Sequence, residues 1–208
     1  MKPLGVILAG GRATRMGGGD KALLPLGGRP MLDHVVERLA PQVDAMALSA
    51  NGDAARFAAY GLPVLGDSID GYPGPLAGVL AGLDWAAAHG AASIITVASD
   101  TPFFPTDLAQ RLLGAAQGQT HPLVLAATPR GHEQTRSMTK GLIRHPTFGL
   151  WPVALRHDLR EALSDGLKKV VLWTEKHGGR EVVFDDPDTD PFFNVNTPED
   201  LVEAERRL

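Results

Sequence analysis

Residues 4–21 read LGVILAGGRATRMGGGDK, an apolar run followed at once by a glycine-rich stretch. The run at residues 4–8 is short and apolar throughout, which is typical of a strand buried on both faces of a parallel sheet. Five glycines then fall within residues 10–19. Because glycine permits positive φ and close backbone approach, successive N–H groups there can point at phosphate oxygens. The stretch therefore predicts a buried strand that leads into an anion-binding loop.

Alternating strands and helices are predicted along the rest of the chain. Further buried strands are expected at residues 46–48, 64–65, 94–98 and 123–127, and two more strands are expected at residues 182–184 and 192–195. Amphipathic helices are expected at residues 31–39, 76–88, 107–116, 155–163 and 168–177. Residues 197–200, Thr-Pro-Glu-Asp, resemble a capping box before a last helix. This alternation favours an α/β fold with a mostly parallel sheet covered by helices on both faces.

The composition fits one globular domain spanning residues 1–208. Hydrophobic residues make up 44% and charged residues 21%, which allows a buried core and a solvated surface. The net charge of −4 gives no overall attraction to nucleic acid or to anionic lipid. The chain has no cysteine, which excludes disulfides, thiolate nucleophiles and iron–sulfur clusters. With no long apolar run, we expect a cytoplasmic protein with no membrane or nucleic-acid partner.

Two cations accompany the glycine-rich loop, Arg15 and Lys21. Arginine can grip two phosphate oxygens at once, while lysine acts as a compact point charge. The alternative is a flexible surface loop with two solvated cations. A loop directly after the first buried strand of an α/β sheet lies at the edge where ligands bind, which favours phosphate binding. The loop matches neither the P-loop pattern nor the dinucleotide fingerprint.

A carboxylate is expected at the same edge of the sheet. Asp100 follows the predicted strand at residues 94–98, and a carboxylate there can hold Mg²⁺ together with substrate phosphates. Taken alone, Asp-Thr-Pro more often closes an Asx-turn than binds a metal, and the glycine-rich loop is what favours metal binding here. The seven histidines show no metal-ligand spacing, and no chemistry is assigned to them.

The loop LAGGRATRMGGGDK at residues 8–21 resembles the signature loop of the nucleotidyltransferase superfamily, which includes the sugar-nucleotide pyrophosphorylases. It is most similar to the molybdenum cofactor guanylyltransferase family. The resemblance reappears as Ser-Ala-Asn at 49–51, Asp-Ser at 67–68, Tyr-Pro-Gly-Pro-Leu-Ala-Gly at 72–78, Ser-Asp-Thr-Pro at 99–102 and Phe-Asn-Val-Asn-Thr-Pro-Glu at 193–199. It thus spans nearly the whole chain.

The resemblance implies a fold, a reaction and partners. The fold is the Rossmann-like three-layer nucleotidyltransferase fold. The reaction is transfer of GMP from GTP to the terminal phosphate of molybdopterin or molybdenum cofactor, which yields the guanine dinucleotide cofactor and pyrophosphate, with Mg²⁺. The expected protein partners are cofactor-synthesis proteins and recipient molybdoenzymes.

The resemblance also implies roles for individual residues. The implied GTP-binding residues are Leu8, Ala9, Gly10, Gly11, Lys21, Asn51, Asp67 and Asp100. Arg15, Lys21 and Asp100 would act in catalysis, and Asp100 would also carry the magnesium ion. Asn194 and Asn196 alternate along the predicted strand at residues 192–195 and just beyond it, where their amides would face the pterin substrate or the metal. The alternative is that these two asparagines only form a turn before Thr197, with their side chains bonded to the nearby backbone.

Other functions stay open at this point. The chain departs from the family pattern at Ser49, where an asparagine is expected, and at residues 130–140, a polar segment that predicts a mobile inserted loop. A cytidylyltransferase or a sugar-phosphate nucleotidylyltransferase of the same fold is an alternative enzyme. A non-catalytic protein that binds and delivers GTP or the cofactor is an alternative of another class. The loop lacks the proline-led form of related cytidylyltransferases, which favours GTP.

Overall fold

The computed structural model describes residues 2–10, 20–69, 74–129, 141–167, 170–186 and 189–208. The strands are β1 Leu4–Leu8, β2 Pro25–Leu26, β3 Arg29–Pro30, β4 Met46–Ser49, β5 Val64–Leu65, β6 Ser93–Ala98, β7 Val124–Pro129, β8 Leu142–Pro152 and β9 Arg180–Val183. The helices are α1 Met31–Leu39, α2 Pro75–Ala88, α3 Leu108–Ala115, α4 Arg156–Ser164, α5 Val170–Lys176 and α6 Pro198–Arg206.

A seven-stranded sheet in the order β5-β4-β1-β6-β8-β7-β9 forms the centre of the molecule. Strands β5, β4, β1 and β6 pair in parallel, and so do β7 and β9. Strand β8 runs antiparallel to both of its neighbours. The expected α/β class with a mostly parallel sheet is confirmed.

Apolar side chains project from both faces of this sheet into hydrophobic clusters. Val6 and Ile7 are neighbours in β1, and each is fully buried in a different hydrophobic cluster. Since successive strand residues point to opposite faces, the two clusters lie on the two sides of the sheet. One cluster includes buried residues of α1 and α3, and the other includes those of α2, α4 and α5. None of the helices in the described ranges combines the length and apolarity needed to cross a bilayer.

Two glycines bring α2 unusually close to the sheet. A Cβ added at Gly78 would lie 2.5 Å from the Ser49 hydroxyl, and one at Gly82 would lie 2.7 Å from a methyl group of Val6. Real Cβ atoms essentially never approach other atoms this closely, so a larger residue at either position would force its neighbours to shift. Gly78 and Gly82 are four residues apart and therefore lie on one face of the helix. This close contact places the beginning of α2 at the edge of the sheet where β1 and β4 end.

Strand β8 was not predicted, and a bulge explains why. Leu125 pairs with Gly149 while the next residue, Ala126, pairs with His145, so β8 contains three extra residues at 146–148. One of them is Pro146, which has no N–H to donate to a ladder. The bulge breaks the alternating pattern on which a strand prediction depends, and the first residues of β8 are exposed.

The strand predicted at residues 192–195 is wrong. Asp190 accepts a hydrogen bond from the Phe192 N–H through its carboxylate and one from the Phe193 N–H through its carbonyl. These local bonds form a turn and compete with a ladder. The capping box of α6 is confirmed, with Thr197 and Asp200 bonded reciprocally. The other predicted helices and strands are confirmed within a few residues of their ends, although residues 168–169 of one lie outside the described residues, as does the loop expected at 130–140.

Candidate active site

A cleft of about 500 Å³ opens where the parallel strands end. Strands β4, β1 and β6 run in the same direction, so their carboxyl ends meet at one edge, where ligands bind in sheets of this type. The described residues that line the cleft are Leu8, Gly10, Lys21, Ser49, Ala50, Asn51, Asp67, Gly74, Pro75, Gly78, Ala98, Ser99, Asp100, Thr147 and Asn194.

Lys21 reaches the cleft from a short 3-10 helix, Lys21–Leu23. Asp20 caps this helix by accepting a hydrogen bond from the Ala22 N–H at 3.3 Å. The Lys21 side chain is 9% exposed, and its Nζ donates to Asp100 Oδ2 at 2.6 Å and to Asn196 Oδ1. A nearly buried ammonium needs such partners, because an unpaired charge there would be costly.

Asp100 is the second residue after β6, and hydrogen bonds from two parts of the chain hold it in place. Its Oδ1 accepts a hydrogen bond from the Thr101 hydroxyl at 3.2 Å, and its backbone carbonyl accepts one from the Val195 N–H at 2.8 Å. The second bond fastens the segment before α6 to the end of β6. Asn194 and Asn196, on either side of Val195, are brought to the same place: Asn194 accepts from Thr101, and Asn196 accepts from Lys21. We call Lys21, Asp100, Thr101, Asn194 and Asn196 the Lys21 end of the cleft.

The α6 capping box supports the Lys21 end. The Asp200 carboxylate accepts hydrogen bonds from the N–H groups of Asn196 and Thr197, each at 2.9 Å. Burial raises the pKa of Asp200, but these N–H donors, the Thr197 hydroxyl and the charge of Lys21 lower it more, so the net pKa lies below its usual value. Asp200 thus stays ionised and fixes the backbone that carries Asn196.

Asn51 and Asp67 form the opposite end, which we call the Asn51 end. They lie just beyond β4 and β5, neighbouring strands of the sheet. Asn51 Nδ2 donates to Asp67 Oδ2 at 2.6 Å, and the Asp67 N–H donates to Asn51 Oδ1 at 2.9 Å. This paired amide and carboxylate offer hydrogen-bond donors and acceptors of the kind that can recognise a nucleobase edge.

Most of the site residues predicted from the sequence line the cleft, but not all of them do. Lys21, Asp100, Asn51, Asp67, Leu8, Gly10 and Asn194 all line the cleft. Ala9 is buried and donates its N–H to the Ser49 carbonyl, and Asn196 reaches the site through Lys21. Gly11 and Arg15 lie outside the described residues.

Thr147 lines the cleft and was missed by the sequence reasoning. It is the middle residue of the bulge in β8, and no pattern in the sequence marks it. Beside the bulge, His145 stacks on Phe192 with ring centroids 4.4 Å apart, and burial lowers the pKa of His145. A neutral imidazole therefore packs on the segment that leads to Asn194.

No group of three or more His, Cys, Asp or Glu side chains in the described parts of the chain is arranged to hold a metal ion. Asp100 is the carboxylate beside Lys21, and the amide oxygens of Asn194 and Asn196 lie in the same cluster. Such a set of oxygens suits an ion that takes most of its ligands from a bound phosphate substrate and water, as magnesium does.

Solved structures share the fold of this chain over nearly its whole length. The chain superposes on 4-diphosphocytidyl-2C-methyl-D-erythritol synthase from Anaerococcus prevotii with a TM-score of 0.76, at 15% identity over 99% of this chain and 96% of that one. It superposes on molybdopterin-guanine dinucleotide biosynthesis protein A from Archaeoglobus fulgidus with a TM-score of 0.70, at 22% identity over 98% and 97% of the two chains. These likenesses show the fold, and the expected nucleotidyltransferase fold is confirmed.

Sequence comparison narrows the class to a family. Residues 5–179 match the model of the MobA-like NTP transferase domain. The chain is 51% identical to a molybdenum cofactor guanylyltransferase of Bradyrhizobium sp. (strain ORS 278), over 97% of this chain and 91% of that protein. It is 49% identical to one from Cereibacter sphaeroides, over 100% and 98% of the two chains. The chain belongs to the MobA-like NTP transferase family.

Proposed function

We propose that this protein transfers GMP from GTP to the terminal phosphate of molybdopterin or molybdenum cofactor and releases pyrophosphate. The observation that carries the proposal is the cleft at the strand ends, which has the Asn51–Asp67 pair at one end and the Lys21–Asp100 ion pair at the other. The relatives named molybdenum cofactor guanylyltransferase supply the identities of nucleotide and acceptor.

The nucleotide lies across the ends of β4 and β1 in this proposal. Asn51 and Asp67 bind the nucleoside portion, and the backbone of Leu8, Ala9, Gly10 and Gly11 approaches the phosphates. Lys21 neutralises phosphate charge, and Arg15 acts with it. The cleft is large enough for this, since ligand sites of small molecules begin at about 300 Å³.

Asp100 would hold a magnesium ion together with the triphosphate. Its carboxylate lies in the cleft next to the asparagine oxygens, and its side chain is 26% exposed and so accessible to a ligand. When bound, the ion supplies positive charge to the triphosphate oxygens and offsets the charge of the leaving pyrophosphate.

The acceptor binds near Asn194 and Asn196. An acceptor phosphate is already anionic near neutral pH, so it needs no strong general base to attack the α-phosphorus of GTP. The chain must instead position two anions and reduce their repulsion. Lys21 provides the cation, and the two amides orient the acceptor. One new P–O bond forms to the acceptor oxygen, and the bond to pyrophosphate breaks.

The experiment supplies purified protein with Mg²⁺, molybdopterin and either GTP or CTP, and measures pyrophosphate and the dinucleotide product. We expect both products with GTP and far less with CTP. Preference for CTP would indicate a cytidylyltransferase, and turnover with a sugar phosphate in place of molybdopterin would indicate a sugar-phosphate enzyme. Binding of GTP without release of pyrophosphate would indicate a delivery protein. A single domain over residues 1–208, cytoplasmic location and the protein partners stay predictions.

A further inference from the structure

Arg56 contacts the Asn51 end of the cleft and the residue that precedes Lys21, without lining the cleft. It lies in the 3-10 helix Ala54–Tyr60, between β4 and β5. Its Nε donates to Asp20 Oδ2 at 2.6 Å, and its Nη2 donates to the Asn51 carbonyl at 2.8 Å. Neither Arg56 nor Asp20 is among the described lining residues of the cleft.

Each of these two partners is next to a group that faces the cleft. Asp20 precedes Lys21 and caps the short helix on which Lys21 lies. Asn51 carries the amide that pairs with Asp67. One guanidinium therefore joins the backbone of the Asn51 end to the helix that presents Lys21. A planar group with donors in fixed directions sets the distance between two acceptors more strictly than a flexible ammonium does.

The surroundings of Arg56 hold its guanidinium in place. Its carbon Cζ lies 4.5 Å from the ring centroid of Phe57, which is fully buried. A further donor of the same guanidinium, Nη1, bonds to the Asp53 carbonyl. The side chains of Arg56 and Asp20 are 27% and 13% exposed, so solvent screens this ion pair less than it screens an exposed one.

We propose that Arg56 is a positioning residue that fixes the separation of Lys21 from the Asn51–Asp67 pair, so that one nucleotide can be held at both ends at once. The inference rests on the proposed binding of GTP in the cleft. It makes Arg56 important for a ligand that spans the cleft and much less important for a ligand that occupies one end.

The test compares three ligands: GTP, guanosine and inorganic tripolyphosphate. Their dissociation constants are measured by calorimetry for the wild type and for Arg56→Gln, Arg56→Lys, Asp20→Asn and the double variant Asp20→Asn/Arg56→Gln. We expect Arg56→Gln and Asp20→Asn each to weaken GTP binding by about ten-fold, the scale on which residues remote from a ligand alter its affinity. Guanosine and tripolyphosphate should change by less than about two-fold. The double variant should be no weaker than either single one, because both break the same link.

Arg29→Gln is the matched control. It breaks an ion pair with Glu37 that lies away from the described cleft-lining residues, and it should leave GTP binding unchanged. Arg56→Lys keeps the charge and should recover part of the affinity lost in Arg56→Gln. Thermal unfolding checks that each variant is folded, and Asp20→Asn keeps the test decisive if Arg56→Gln does not fold.

Two results would overturn the inference while leaving the proposed function standing. One is GTP binding by the folded Arg56→Gln or Asp20→Asn protein within two-fold of the wild type. The other is an equal loss for guanosine, tripolyphosphate and GTP, which would mean local damage to each end. A wild-type protein that binds no GTP would overturn the proposed function and the inference with it.

Discussion

The two ends of the cleft are held by different kinds of contact. At the Asn51 end, the amide and the Asp67 carboxylate bond to each other, and both follow neighbouring parallel strands. At the Lys21 end, groups from three distant parts of the chain meet, and a nearly buried ammonium is shared by Asp100 and Asn196. The first arrangement suits recognition of a neutral ring, and the second suits control of charge during displacement.

Because of this difference, substitutions at the two ends should alter different kinetic constants. Loss of a hydrogen bond at the Asn51 end removes binding that is equal in the ground state and the transition state, which raises KM. Loss of a charge at the Lys21 end removes stabilisation that is strongest in the transition state, which lowers kcat. The following changes test that division.

Asp100→Ala should have the largest effect. It removes the carboxylate that we assign to the metal, and kcat should fall by about 1,000-fold or more. Pyrophosphate release measures this, and circular dichroism checks that the protein remains folded. Asp107→Ala, at an exposed aspartate without a side-chain cap bond before α3, is the control and should be fully active. A folded Asp100→Ala protein with more than a tenth of wild-type kcat would contradict the assignment.

Gly78→Ala should destabilise the Asn51 side of the cleft. The new methyl would lie 2.5 Å from the Ser49 hydroxyl and 2.9 Å from a Leu8 methyl, and such overpacking costs about 1–3 kcal/mol. Gly114→Ala in α3 is the matched control because its Cβ would meet no atom within 4 Å. There we expect a gain of up to about 1 kcal/mol in stability. Urea denaturation distinguishes them, and equal stability of the two variants would show that α2 can move away.

Asn51→Ala should raise KM for GTP about ten-fold and change kcat by less than about two-fold, since it removes one or two hydrogen bonds at the binding end. Asn196→Ala is the same substitution at the Lys21 end, and it should lower kcat instead. Steady-state kinetics at saturating acceptor measures both. If the two variants changed the same kinetic constant, the proposed division of the cleft would be wrong.

Asp200→Ala should have the smallest effect, a loss of about 1 kcal/mol at pH 7 through the lost cap of α6. Because the pKa of Asp200 is lowered in the folded state, its stabilisation is full above the unfolded pKa of about 3.9. The stabilisation is lost as the pH falls through the lower folded value. The difference in urea midpoint between wild type and variant should therefore shrink below pH 4. Glu199→Ala, in the same turn, serves as the control, and a difference independent of pH would exclude ionised Asp200 as its source.

Most of the parallel half of the sheet was predictable. Strand β1 is predicted by a continuous run of apolar residues, because it is buried on both faces. Helix α1 is predicted by apolar residues at helical spacing, because it is buried on one side. Asp100 follows strand β6, and Lys21 follows the loop after β1. Both could therefore be placed at the edge of the sheet where these strands end. Strand β8 could not be predicted, because its bulge and its exposed first residues interrupt the alternation of apolar and polar residues. Thr147 lies in that bulge and was missed for the same reason.

The meeting of Asn194 and Asn196 with Asp100 could not be derived from spacing. More than ninety residues separate them, and the contact depends on one backbone bond from Val195 and on the cap of α6. The sequence predicted that a strand would point both asparagines to the same face of the sheet. In the structure, a turn and the hydrogen bond from Val195 to Asp100 bring them to the cleft instead. Long-range pairing of this kind is set by the complete fold and leaves no local pattern.

The glycine contacts of α2 also restrict how the molecule can move. If the helix turned about its axis by one residue, Val79 would come to lie against Ser49 and Leu83 against Val6, where a side chain would have to displace its neighbours. Rotation of α2 about its axis is therefore opposed, and the first turn at Pro75 keeps the same side toward the cleft.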